Sequence, residues 1–496
     1  MSGTLDDIRD FVRMRVQGRR FIFTGDGATS FEAKIEQLRT LGAGPFLAIT
    51  LKTRLNEDVN LGDDVKIIPI ELAINPHNFT YEDSWNEIFL NTPPEIQKAV
   101  DDFDVDGDAF LTVFRFRTAT HAFGRKIDAC RKPEWVQLED KTFIDGFFAQ
   151  NSIPAPRSTV VDATKAAMIG ASELMNSGDG TVWSGDSTLG LSSRGNMVRW
   201  LRPDADDEDE FHFVRKFSQA CESVRIAEFV EGRPCSIHGF VLPEGVAVFR
   251  PVELLVLRGE HGKFWFAGTN TFWQPSIELR VEMRSIARQV GEALRKDYDY
   301  RGAFCCDGIA GRDGYVINEL NTRIGDGLGY VANALPDFPF EVLQDLAVSG
   351  KADDLSSEQI GTLEDAVQAA GDTIPWAKVR VYQAGDFSSE AELELFTRFA
   401  EEGETHLEGD ADMDRYSEAV VRVEEKKDLD RFGTVKAYPG ANYGILDFSL
   451  NPDIPTGPSL ARHVASALRR CAEELGAATT SISVAKDVYG EPSQAS

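Results

Sequence analysis

Between Tyr300 and Gly329 the chain reads YRGAFCCDGIAGRDGYVINELNTRIGDGLG, and no other stretch narrows its fold as far. Two apolar runs, GAFCCDGI and YVINELN, flank AGRDG, whose glycines and aspartate are turn residues, so a β-hairpin is expected. With the turn centred on Asp313, Asp307 falls opposite Glu319, and period-2 alternation puts Glu319 and Asn321 on one face of their strand. Two carboxylates with Cβ atoms about 5 Å apart repel unless something positive lies between them. A divalent cation meets that need. Two carboxylates plus an amide oxygen are hard donors of the kind Mg2+ takes beside nucleotide phosphates. Spacing alone serves a wet, acidic edge hairpin equally well. Arg323, Gly325, Gly327 and Gly329 follow at once, bringing a guanidinium beside the carboxylates and letting backbone approach closely; a structural ion pair is the plainer role for Arg323.

The rest of the chain supplies the setting. From Arg20 to about Phe114, strand-like runs (FIFTG, PFLAITL, VKIIPIEL, AFLTVF) alternate with helical stretches such as Ser30 to Leu41, the rhythm of an α/β sheet with crossover helices. A second section opens near Glu139 with LEDKTFIDGFFAQ and IPAPRSTVV, adds a further helical stretch, and runs on as short strands and hairpin turns to about Tyr330. The last, from about Pro336, opens with a helix around Phe340 to Ser349, passes the acidic stretch Glu390 to Arg431, and ends in an amphipathic helix, Ser459 to Glu474. At 496 residues, roughly 150 per domain gives about three domains, drawn at 1–138, 139–335 and 336–496.

Two acidic runs are expected to carry no site. DADDEDE, Asp204 to Glu210, reads as a solvated loop because like charges repel. DFDVDGD, Asp102 to Asp108, starts like a calcium loop, but its twelfth position is Val113 where a bidentate glutamate is required.

A net charge of -29 speaks against nucleic acid as a partner, since phosphate binding needs basic surface. No apolar run reaches membrane-span length, and the N-terminus, MSGTLDDIRDFVRMRVQGRR, has no signal-peptide core. Six sparse cysteines, without metal or redox spacing, fit a reduced, cytoplasmic protein.

ELNTRIGDGLG, with Asp307 twelve residues ahead of its glutamate, resembles the magnesium-binding end of the ATP-grasp superfamily. EDKTFIDGFFAQNSIPAPRSTVV resembles that family's entry segment, in which a lysine, here Lys141, starts the helix leading to a Pro-x-Pro strand. VRIAEFVEGRPCSIHGFVL resembles the linker between its two lobes. The resemblance spans Glu139 to Gly329 and implies an α/β (α+β) chain: an N-terminal α/β pre-ATP-grasp domain, a two-lobed ATP-grasp core and a C-terminal α+β domain. It implies ATP and Mg2+ as cofactors. Adenine would be held at the linker by Glu228 and Val230, an apolar slot with free backbone groups that reads equally well as an ordinary core hairpin. Phosphates would be met by Lys141 and by the Gly- and Ser-rich loop TVWSGDSTLGLSSRGN with Trp183, Ser184 and Arg194, or that stretch is a plain hairpin loop. Many family members carry a second lysine where this chain has Trp183 and Ser184, and a ribose-binding glutamate where it has Pro234 and Cys235.

The implied reaction joins a carboxylate to an amine or peptide through an acyl phosphate. Asp307, Glu319 and Asn321 would hold two Mg2+ ions, and Arg323 would stabilise the acyl phosphate and the oxyanion after it. Arg250 would fork onto the substrate carboxylate; an exposed strand arginine is the simpler account. His238 reads as a satisfied core histidine. The wording VWSGD, EFVEGRPCSIHG and RPVELL resembles peptide ligases of the pheganomycin type, and the resemblance leaves room for a homodimer. The alternatives are an ATP-grasp kinase of a small molecule and an ATP-binding regulator without turnover.

Overall fold

A computed structural model describes residues 4–25, 27–51, 60–71, 81–113, 119–186, 197–382, 391–397, 430–438, 445–451, 453, 454, 456, 457, 459–475 and 482–490. The first helix, Leu5–Val16, starts at a capping box: Thr4 accepts from the Asp7 N–H while the Asp7 carboxylate accepts from the Thr4 N–H. Four strands, β1 (Phe21–Gly25), β2 (Phe46–Leu51), β3 (Val65–Ile70) and β4 (Phe110–Val113), pair in parallel in the order β3-β2-β1-β4. Parallel strands need apolar cover on both faces. Phe21, Phe23, Phe46 and Phe110 pack with Val12 and Leu38 on one side, and Ile22, Leu47 and Leu111 pack with Trp85 and Val100 on the other. The short ribbon β5 (His121–Ala122) and β6 (Arg125–Lys126) follows. In the calcium-like segment the buried Asp104 carboxylate is already committed, to the N–H groups of Asp108 and Ala109 and to Arg125.

A second sheet is antiparallel, β7 (Ser158–Asp162), β8 (Thr181–Gly185), β9 (Val198–Leu201) and β10 (Ser223–Glu228), in the order β7-β10-β8-β9. Helices Lys165–Met175 and Asp207–Ala220 cover one face with Met168, Phe213 and Phe217. The acidic run therefore departs from the loop expected of it. Asp206 caps the second of these helices, accepting from the N–H groups of Glu208 and Asp209, and carboxylates in a first turn suit the positive end of the helix dipole.

The third sheet has nine strands: β11 (Gly232–Leu242), β12 (Gly245–Arg258), β13 (Phe264–Asn270), β14 (Gly302–Gly311), β15 (Gly314–Asn321), β16 (Ala377–Tyr382), β17 (Ala391–Thr397), β18 (Asp430–Tyr438) and β19 (Ile445–Leu450). Their order is β15-β14-β11-β12-β13-β16-β19-β18-β17, so strands from either side of residue 335 share one sheet through the β13–β16 pairing. Helix Ile277–Asp297 interrupts a stretch expected to hold strands and turns. Its Met283, Ile286, Val290 and Leu294 bury the face that carries Ile237, Cys306 and Leu320. The opposite face is covered at Phe240, Leu242 and Phe249 by helices Phe340–Val348 and Ser357–Thr373. Ser236, Asp307, Glu319 and Asn321 lie beyond that apolar cover. The C-terminal helix runs Ala461–Leu475, and most of the acidic stretch before it lies outside the described residues. Among the described residues no helix is long and apolar enough to cross a membrane.

Candidate active site

Strands β14 and β15 form the expected hairpin, and Asp307 does pair with Glu319. The route differs from the one the turn spacing implies. Gly311 pairs with Gly314, so the turn holds only Arg312 and Asp313, and a bulge between Asp307 and Gly308 restores the opposition. Gly308 is required there: a Cβ would stand 2.1 Å from the Val316 carbonyl oxygen.

Around the pair the polar groups interlock. Asn321 Nδ2 donates to Asp307 Oδ2 at 2.9 Å, and Arg323 donates to Asn321 Oδ1 at 2.8 Å. The Cys305 thiol donates to Asp307 Oδ1 at 2.9 Å and lies 3.2 Å from the Ser236 hydroxyl. Burial, and then the charge of Asp307, holds that thiol well above its ordinary pKa, so it stays a donor. Burial first and the Glu319 charge second push the Asp307 carboxyl above the usual carboxylate range. Lys141 Nζ sits 2.8 Å from Glu319 Oε2. Arg323 reaches Glu139 Oε2 at 3.2 Å; burial lowers the guanidinium pKa, but the Glu139 and Glu319 carboxylates outweigh it and hold the group charged.

Two opposed carboxylates with one amide oxygen fit a Mg2+ ion that keeps water and phosphate oxygens as its other ligands. Among the described residues no group of three or more His, Cys, Asp or Glu forms a fuller cage. Asn321 Oδ1 has one lone pair taken by Arg323 and one left. A dication at Glu319 has to share that carboxylate with the Lys141 ammonium or displace it.

The linker does not form a core hairpin. β10 belongs to the second sheet and β11 to the third, with only Phe229, Val230 and Glu231 between them. The Glu228 carboxylate is held by the Arg157 N–H at 3.0 Å, and Val230 is half-buried against Gly311. An aromatic stack, unanticipated from sequence, stands beside them: Trp200 lies on Phe229 at 4.1 Å between centroids, and Arg258 covers both rings while Glu231 grips its guanidinium.

Three expectations are corrected. Trp183 is wholly buried, with its ring against Phe213 and Phe217 and its Nε1 donating to Thr181 Oγ1 at 3.1 Å, so it packs the helix side of the second sheet and meets no nucleotide. Only Ser184, one residue on and therefore on the opposite face with Arg225, is turned toward the helix Ile144–Gln150, whose Asp145 binds Arg225. Arg250 is 1% exposed and clasps the carbonyls of Gly371, Trp273 and Pro251 with Asp372 at 3.4 Å, leaving no fork for a substrate. His238 is buried, but neither ring nitrogen has a hydrogen-bond partner among the described residues. Arg194 and the rest of 187–196 lie outside the described residues.

No family model and no curated protein sequence matches this chain. Solved structures match its fold, and the fold they define is ATP-grasp. One is the biotin carboxylase domain of 2-oxoglutarate carboxylase from Hydrogenobacter thermophilus, solved with MgADP, ADP and bicarbonate: 14% identity, 95% of this chain and 92% of that one, TM-score 0.53. Biotin carboxylase from Campylobacter jejuni matches at 12% identity over 94% of this chain and 92% of its own, TM-score 0.52. Carboxyaminoimidazole ribonucleotide synthase from Aspergillus clavatus, solved with ATP, matches at 10% identity, 92% and 99%, TM-score 0.50.

Proposed function

We propose that the chain is an ATP- and Mg2+-dependent ligase that joins a carboxylate to an amine as an amide, in peptide or natural-product assembly. One observation carries the reading: on an ATP-grasp fold, the cross-strand Asp307–Glu319 pair is flanked by Lys141 and Arg323. The substrate carboxylate oxygen attacks the γ-phosphorus of ATP and ADP leaves. The amine then attacks the acyl carbon, phosphate leaves, and the amine gives up a proton.

Asp307, Glu319 and the free lone pair of Asn321 would hold Mg2+, which neutralises charge on the phosphates as they transfer. Lys141, poised at Glu319, reaches the same oxygens from the entry segment. Arg323, half-exposed and fixed at Asn321, faces the charge that grows on the acyl phosphate. The linker beside the Trp200–Phe229 stack offers adenine an apolar wall and backbone groups. Residues 1–138, 139–335 and 336–496 serve in this reading as substrate-side domain, catalytic core and C-terminal extension of the core sheet. All six cysteines are free thiols, in keeping with a cytoplasmic site of action.

The test is an ADP-release screen of carboxylate and amine pairs with Mg2+, followed by mass spectrometry. A pair giving both ADP and the condensed mass supports the ligase. A phosphorylated product without an amide would replace it with a kinase, and ATP binding without ADP release over the panel would replace it with a regulator.

A further inference from the structure

We infer that Glu139 is a positioning residue: its buried carboxylate fixes the direction of the Arg323 guanidinium and the backbone that presents Asn321. The inference rests on the ligase reading for its kinetic consequence, not for its geometry.

Glu139 is 5% exposed. One oxygen, Oε1, accepts from the Thr322 N–H at 3.1 Å and from Arg131; the other, Oε2, accepts from Arg323 Nε at 3.2 Å. The Thr322 hydroxyl donates to the Trp135 carbonyl at 2.7 Å. Thr322 stands between Asn321 and Arg323, so one carboxylate holds the main chain between the two residues and the side chain of the second. A buried carboxylate with this many charged and neutral donors is fixed in place, because moving it would strand several partners at once.

Arg323 has the opposite character. Its side chain is 44% exposed, and a long exposed arginine samples many rotamers unless something holds it. Glu139 grips Nε, near the root of the planar fork, while an Nη group reaches Asn321 Oδ1 at 2.8 Å. Two contacts on different nitrogens of a rigid plane define its orientation. Arg131 then settles the charge. Glu139 alone would cancel Arg323; with Arg131 on the same carboxylate, the three groups keep one net positive charge, available to an anion that meets the outer edge of Arg323.

The experiment is a double-mutant cycle on ADP release, Glu139→Gln against Arg323→Ala, paired with a crystal structure of Glu139→Gln. Glutamine keeps an acceptor for Thr322 but not the charge that orients Arg323. Expected are a fall in kcat on the order of 10- to 100-fold, a KM for ATP within about threefold, and a double variant no slower than Arg323→Ala alone. In the crystal, Arg323 should leave Asn321. Independent, multiplying losses in the cycle, or an Arg323 still seated on Asn321, would overturn the inference. Were the wild type to release no ADP with any pair, the ligase reading would fall, and the crystal alone would decide the role of Glu139. If Glu139→Gln does not fold, Glu139→Asp, one methylene shorter, takes its place with the same displacement expected.

Discussion

His238 lies on β11 with its ring beneath Gly325 and Gly327: a Cβ on either glycine would stand 2.8 and 2.3 Å from imidazole atoms. Burial lowers its pKa from 6.5 to about 3, so the folded protein holds it neutral. The sign follows from linkage. The unfolded chain takes up a proton below pH 6.5 and the folded chain does not, so the stability this residue allows is complete above about 6.5 and drains away as pH falls toward 3. The slope approaches 1.36 kcal/mol per pH unit, which comes to about 2 kcal/mol between pH 7 and pH 5. Replacing it by leucine, His238→Leu, removes the titration and two unpaired ring nitrogens from the interior. Urea midpoints of both proteins at pH 7, 6, 5.5 and 5 give the assay, since groups common to both cancel in the difference. The wild type should lose about 2 kcal/mol relative to the variant over that range. Parallel curves would refute the reasoning, because they would mean that the imidazole finds solvent or a partner on protonation.

Two further substitutions test other parts of the structure. Arg250→Met strands the buried carbonyls of Gly371 and Trp273, while Asp372 keeps Arg280 at 3.1 Å, so stability should drop by about 2–5 kcal/mol with KM unchanged for the folded enzyme; a raised KM with an unchanged melting temperature would return Arg250 to the substrate. Gly308→Ala drives a Cβ to 2.1 Å from the Val316 oxygen, and should lower both the melting temperature and ADP release by disturbing the bulge that sets Asp307 against Glu319.

The hairpin was legible because everything that makes it is local: a Gly- and Asp-rich turn and two period-2 strands. Its register came out right although the turn is shorter than the spacing implies, since the bulge at Gly308 compensates. Bulges leave little trace in a single sequence beyond the glycine itself. At Trp183 strand alternation decides over family position, and it puts a tryptophan on the apolar, helix-covered face. Arg250 and Glu139 are different. Their partners, Gly371 and Asp372 for one, Thr322 and Arg323 for the other, are brought together only by tertiary packing, and no local pattern announces a buried guanidinium or a buried carboxylate. The helix Ile277–Asp297 carried a readable signature, a Ser276 cap followed by Leu279, Met283, Ile286, Val290 and Leu294 at helical spacing.

Calorimetric titration of ATP, with Mg2+ and with the metal chelated, puts the Asp307–Glu319 pair to its most direct test when run on the wild type, Asp307→Asn and Glu319→Gln. Wild type should bind ATP at least tenfold tighter with Mg2+, about 1.4 kcal/mol. Both variants should lose that gain while melting within a few degrees of wild type. An undiminished Mg2+-dependent gain in either variant would contradict the assignment of these carboxylates to the metal.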